Sequence, residues 1–182
     1  MGASPRSTAS ALAGSCARPS RRRSASAPSP RWRSATRCDN ALTGEQGMSG
    51  ITLEDANKVI AAAVEKAREL GFTMAVAVVD LQTSLVASAR MDGTNPFTPD
   101  VVRGKAVATA VTKGTPSGVA AGRFPPGLLD TVRDLYGGRV TWVQGAVPLF
   151  KNGELVGAVG AGGGPPDKDE EVAQAGADAL AG

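Results

Sequence analysis

The dipeptide Asn152-Gly153, set between two apolar runs, constrains this chain more than any other local feature. RVTWVQGAVPLF (139–150) precedes it and ELVGAVGA (154–161) follows it. Asn and Gly both tolerate the left-handed backbone that a two-residue hairpin turn requires, so Asn-Gly between alternating apolar runs is the strongest short hairpin signal. Antiparallel strands are therefore expected at 139–150 and 154–161. Pro148 has no amide to give to a ladder, which puts its amide side at an edge or a bulge.

A second hairpin is expected upstream, where TMAVAVVD (73–80) and LVASARMD (85–92) flank Leu81-Gln82-Thr83-Ser84. A symmetric loop makes Asp80 face Leu85 and Ala75 face Arg90. Alternation then puts Thr73, Ala75, Ala77, Val79, Val86, Ser88, Arg90 and Asp92 on one face. Apart from Arg90, that face carries short side chains. It is either covered closely by a helix or forms the floor of a shallow pocket with a guanidinium at its edge.

Helices separate and flank these hairpins. Leu53, Ala56, Val59/Ile60, Ala63, Ala67 and Leu70 recur at helical spacing, with Thr52 as a cap, Glu54 and Asp55 in the first turn and Gly71 as the stop. Pro99 and Asp100 can open a helix over 101–111. Residues 113–126 are punctuated by Gly114, Pro116, Gly118 and Gly122 and read as irregular, a lid or partner surface, with a short helix at 128–137. A last helix over 166–181 places Asp167, Asp169, Glu170 and Glu171 in its first turn, as the helix dipole favours. The order predicts an α+β domain whose mainly antiparallel sheet is built from two hairpins, with helices packed on its faces.

Charge divides the chain at Met48. Residues 1–47 hold eight Arg and no Lys against Asp39 and Glu45, a net +6; residues 48–182 hold 12 Lys+Arg against 15 Asp+Glu, a net −3. The first segment, rich in Arg, Ser and Ala, has only Leu12, Trp32 and Leu42 as larger apolar residues. It is expected to be a disordered tail, because it cannot bury enough apolar surface to offset its ordering entropy. It reads as a mis-assigned translation start, a targeting segment or a basic arm. The domain at 48–182 is mildly acidic, so nucleic acid is not an expected partner.

The chain has no histidine, and both cysteines, Cys16 and Cys38, precede Met48. Residues 48–182 therefore cannot form a Ser-His-Asp or Cys-His arrangement, a His-ligated metal, a cysteine zinc site or an internal disulfide. No apolar run approaches the length of a membrane span, and a cytoplasmic location is expected.

The glycine-rich run 157–166 lies between a strand and a helix, where a phosphate loop would sit. It fails both the dinucleotide and the P-loop spacing, and the acidic turn that follows would repel a phosphate. Its glycines are expected to allow close backbone approach of a ligand or a neighbouring subunit. Asp80, Arg90, Asp92 and Lys105 cluster near the first hairpin in sequence, either as a carboxylate-binding or acid-base group or as solvated turn charges. Met74 and Met91 read as core or pocket-wall residues, and Trp142 and Phe150 as packing residues.

Several of these segments carry a family resemblance. TLEDANKVIAAAVEKARELG, AVAVVD, LVASARMDG, the Lys-Ala of GKAVATA, GAVPLFKNGELVGAVGAGGG and the closing Asp169-Glu170 plus AQAG occur in order over residues 50–181. This pattern resembles the GlcG/HbpS-type haem-binding family, which includes the C-terminal domain of PduO-type cobalamin adenosyltransferases. The resemblance implies a profilin-like sandwich, a homo-oligomer, and haem or a related small molecule as ligand. Family members read Val-Val-Asp-Ala-Gly-Gly-His-Leu-Val where this chain has Val78-Val79-Asp80-Leu81-Gln82-Thr83-Ser84-Leu85-Val86. Ser84 thus stands at the histidine position, and axial ligation of haem iron falls to Met91, Met74, Tyr136 or a lysine.

The leading expectation is a small-molecule-binding protein for haem or another tetrapyrrole. Arg90 would pair with a ligand carboxylate, Met91 would line the pocket, Lys105 would add positive charge, and Asp80 and Ser84 would lie nearby. The alternative is a cofactor-less enzyme acting on a small carboxylate-bearing substrate. Asp80 or Asp92 would then be the base, and Arg90 or Lys105 the group that stabilises charge. A purely structural partner subunit is the third reading.

Overall fold

The computed structural model describes residues 50–181; the expectations for residues 1–47 lie outside that range. Nine elements follow one another: α1 (Leu53–Glu69), β1 (Ala75–Asp80), β2 (Leu85–Arg90), α2 (Thr98–Val111), α3 (Ser117–Arg123), α4 (Pro126–Leu135), β3 (Ala146–Lys151), β4 (Glu154–Gly162) and α5 (Pro166–Ala181). The strands form one antiparallel sheet in the order β2-β1-β4-β3. The α+β architecture is as expected: two hairpins make the sheet, and helices cover both of its faces.

α1 begins at a reciprocal cap. The Thr52 hydroxyl oxygen accepts from the Asp55 amide at 3.1 Å, and the Asp55 carboxylate accepts from the Thr52 amide at 3.3 Å. Asp55 also receives Lys151 at the end of β3, 2.7 Å away. The Lys151 ammonium, with Thr52, holds this carboxyl below the usual carboxylate range against its partial burial. The larger core lies on this face of the sheet. Ala56, Val59, Ala63 and Ala67 of α1 and Val172, Ala173 and Ala177 of α5 pack on Val76, Val78, Leu149 and Val159.

α2 covers the other face. Val102 sits on Ala75 and Ala77, while Ala106 and Ala110 belong to a cluster with Val79 and Ala158. The short-chained face of β1 is therefore the seat of a helix, one of its two expected readings. Gly160 of β4 makes the fit tight: a Cβ there would collide with the Val102 carbonyl oxygen and stand 3.1 Å from the Ala106 amide nitrogen.

Three local expectations are corrected. In the first hairpin Ala75 pairs with Arg90 as expected, but a bulge makes Val79, and not Asp80, face Leu85. The extra residue turns Val86 to the opposite face, where it packs on the larger core. Residues 139–145 are not a strand, because the Thr141 amide donates to the Gly104 carbonyl of α2 at 3.0 Å and Gly145 has φ +124. Within 113–126, expected to be irregular, Ser117–Arg123 is helical. The Asn-Gly turn forms as read, with Asn152 at φ +52, Gly153 at φ +80 and Lys151 paired to Glu154. Pro148 lies on edge strand β3, next to the bulge between Leu149 and Phe150.

Candidate ligand-binding site

Arg90 ends β2 at a surface concavity. Val64 and Arg68 of α1 and the run Ala89-Arg90-Met91-Asp92 line it, enclosing about 440 Å³. Its lining residues combine the aliphatic Val64, Ala89 and Met91 with the charged Arg68, Arg90 and Asp92. Arg68 also makes an exposed ion pair with Glu65 at 3.2 Å. Such pairs contribute little, so this one leaves the guanidinium free to turn to a better acceptor. Among the described residues Arg90 makes no ion pair.

Met91 lines this cavity but spends its sulfur inward, where Sδ accepts from the Met74 amide at 3.3 Å. The Met91 amide in turn donates to the Met74 carbonyl at 3.0 Å, which closes the strand pair at this end. Met74 is fully buried.

Asp80 and Ser84 do not join Arg90. Asp80 ends β1 at the hairpin loop, and its Oδ1 accepts from the Ser84 amide at 2.8 Å. The Asp80 amide donates to the Ser84 carbonyl at 3.0 Å, and Thr83 between them has φ +68. Ala75, opposite Arg90, is five residues back along β1. At a strand rise of about 3.3 Å per residue, roughly 16 Å separates the two groups. In this structure both Asp80 and Ser84 serve the turn.

Lys105, expected to lend charge to a ligand, is instead enclosed by the fold. Its ammonium lies 2.6 Å from Asp169 Oδ2 and 3.1 Å from the Ala161 carbonyl, and the two side chains are 3% and 5% exposed. Asp169 Oδ1 accepts the Gly164 amide at 2.9 Å, so the ion pair pins the glycine run to α2 and α5. A shallow cavity of about 260 Å³ opens beside it, lined in part by Asn95, Phe97 and Thr98. The glycines of β4 and of the segment after it accommodate the chain's own elements: Gly160 and Gly162 lie against Val102, and Gly163, at φ +129, against the Thr73 carbonyl. Composition and periodicity mark Asp169 as a helix-dipole residue and do not pair it with Lys105. The signal that could have found it lies in the resemblance, whose Lys-Ala, triple glycine and Asp-Glu segments all converge on this pair.

A third cavity, about 330 Å³ and mostly apolar, lies between α2 and α4. Phe124, Leu128, Tyr136 and Trp142 are among its walls, and the indole is fixed by donating to the Leu129 carbonyl at 3.0 Å. Trp142 packs, as expected. Phe150 is 46% exposed on edge strand β3, which corrects the expectation that it packs.

Comparison with known proteins places this geometry. The family model described as "Haem degrading protein HbpS-like" matches residues 51–178. An uncharacterised 15.0 kDa protein of Citrobacter freundii, from the dhaT-dhaS intergenic region, is 30% identical over 146 residues, covering 76% of this chain and 98% of that protein. The crystal structure of a double mutant of Streptomyces reticuli HbpS superposes with a TM-score of 0.65 at 32% identity, over 73% of this chain and 88% of the other. Klebsiella pneumoniae ORFY gives a TM-score of 0.64 at 27% identity, over 71% and 90%. The matched segment runs from the residue before the α1 cap into the last turns of α5 and so takes in every strand and the Lys105–Asp169 lock, and on that footing this chain belongs to the HbpS-like family.

Proposed function

We propose that this chain binds a haem-type tetrapyrrole or a closely related apolar carboxylate at the cavity beside Arg90. The observation that carries the reading is the joint presence of Arg68 and Arg90 around an aliphatic wall formed by Val64, Ala89 and Met91. A ligand with a flat apolar body and carboxylate arms matches it: the body covers the wall, and each guanidinium forks onto a carboxylate. The family description, which names haem, supports this ligand class.

The fit is to the edge of the macrocycle and not to iron. The Met91 sulfur is taken by the Met74 amide, Met74 is buried, and Lys105 is held by Asp169. Tyr136 lines a different cavity. None of these donors, the candidates for axial ligation, is free at the Arg90 cavity. Bound haem would bring redox chemistry at its iron; this chain's residues contribute recognition of the propionates. Of the groups a cofactor-less enzyme would use, Asp80 is committed to the hairpin turn and Lys105 to Asp169, which leaves only Asp92 beside Arg90 for that alternative.

The exposed edges of the sheet, strands β2 and β3, support homo-oligomeric assembly as part of the same proposal.

Titration of the protein with hemin and, separately, with iron-free protoporphyrin IX tests the assignment. Both are expected to bind saturably, with dissociation constants within about threefold of each other. Arg90→Ala and Arg68→Ala should each weaken both about tenfold, the scale of one charge-assisted contact. Hemin binding that is saturable while protoporphyrin IX fails to bind would overturn edge recognition, and indifference to both arginine variants would remove the site.

A further inference from the structure

We propose a second anion site on the opposite face of the sheet, where Arg103 and Arg139 hold a small carboxylate. Arg103 lies on α2, and its Nε is buried without a hydrogen-bond partner, the one such side-chain atom among the described residues. A buried donor left unpaired destabilises the fold that keeps it, so it points to a partner outside the chain's own atoms. The space beside it is built for an acceptor. A concavity of about 210 Å³ is lined by Arg103, Gly104, Gly137, Gly138, Arg139 and Thr141, with Asp100 at its margin.

The walls of this concavity are fixed. The Thr141 amide donates to the Gly104 carbonyl at 3.0 Å, and a Cβ at Gly104 would collide with Thr141 Oγ1, so the 137–141 segment lies directly on α2. Gly137 and Gly138 have φ +61 and +77 and close the end of α4, their amides donating to the Asp134 and Arg133 carbonyls. These amides are used up, which leaves the guanidinium groups as the donors for a ligand. Arg139 Nε donates to the Tyr136 carbonyl at 3.1 Å, and this bond orients the rest of its fork. Neither arginine forms an ion pair among the described residues, and Asp100 pairs with neither.

Charge and size define the occupant. Two guanidinium groups and one carboxylate leave a net +1, which a singly charged carboxylate neutralises and a phosphate dianion overshoots. A carboxylate also presents two coplanar oxygens, which match the Nε–Nη edge of Arg103 once a turn of that side chain brings its buried Nε to the concavity. The site is independent of the cavity beside Arg90, whose helical wall is α1.

Arginine Nε–Hε resonances of the full-length chain, followed by NMR during titration at constant ionic strength, test this. Sodium acetate should move the Arg103 Nε–Hε signal along a saturable curve, and chloride should not. Phosphate near neutral pH should be the weaker ligand by several fold. Arg139→Gln should weaken acetate about tenfold, and Arg103→Lys, which keeps the charge and removes the fork, should weaken it comparably. Arg90→Ala should leave the curve unchanged, so failure of the tetrapyrrole proposal would not affect this one. A response that does not saturate, equal responses to acetate and chloride, phosphate binding as tightly as acetate, or an Arg139→Gln curve like that of the parent would each overturn the carboxylate assignment.

Discussion

Lys105 and Asp169 form a fully enclosed ion pair, and every oxygen of that carboxylate has a donor. Removing one member leaves the other charged in a low-dielectric site. Lys105→Met is therefore expected to cost about 3–5 kcal/mol, while Lys105→Met combined with Asp169→Leu recovers most of the loss. Urea unfolding midpoints at an unchanged m-value check both. A smaller residue effect is expected at Thr83, a β-branched residue at φ +68. Thr83→Gly removes the steric cost of the left-handed backbone and should stabilise the protein by about 1 kcal/mol, read as a raised unfolding temperature. At this scale the sequence reveals only local relations. A symmetric loop puts Arg90 opposite Ala75, as observed, because strand pairing across a short loop is a local property. It could not show that Asp169 meets Lys105, since 64 positions separate them and the contact exists only once α2 and α5 are packed. Asp80 reads as a site residue because it neighbours Arg90 in sequence, and Ser84 because it stands at the histidine position of the resemblance, whereas a strand carries both to the end opposite Arg90.

At the level of elements, α2 seats on the sheet because β1 and β4 present Ala75, Ala77, Gly160 and Gly162 to it. Close approach is the function of those residues, so adding even one methyl group should be felt. Gly160→Ala is expected to cost about 1–3 kcal/mol by forcing α2 away from the Val102 and Ala106 contacts. Gly122→Ala, where a Cβ meets nothing within 4 Å, should be nearly silent or slightly stabilising. Thermal unfolding of the two variants side by side checks the pair. The same physics explains which elements were legible. α1 and α5 carry an apolar stripe and an acidic first turn, and both hairpins carry turn residues between apolar runs, so their sequences announce them. α3 does not, because Pro116, Gly118 and Gly122 read as breaks. In the fold Pro116 precedes the first turn, and Gly118 lets the helix lie against Gln144, where a Cβ would stand 2.8 Å away. Residues 139–145 have the apolar content of a strand, but their polar backbone is spent on α2, as at Thr141, and on the Ser117 hydroxyl, which donates to the Val143 carbonyl at 2.6 Å.

At the scale of the whole molecule, charge is divided so that one part of the chain attracts polyanions and the other does not. Residues 1–47 carry +6 and residues 48–182 carry −3, which sum to the +3 of the full chain. Nonspecific phosphate binding follows net charge and counterion release, whereas recognition of a single carboxylate follows two or three placed guanidinium groups. These two kinds of anion affinity therefore separate on different parts of the sequence. The full chain is expected to be retained by a cation exchanger and by duplex DNA at low salt, and to be released as the Debye length falls below about 10 Å. A chain beginning at Met48 should be retained by neither, yet should keep its full affinity for protoporphyrin IX. Parallel measurement of DNA binding and porphyrin binding over a salt series checks this: if the shorter chain still bound duplex DNA, its arginines would hold phosphate nonspecifically despite the net −3, and the reading of the two arginine cavities as carboxylate sites would have to be given up.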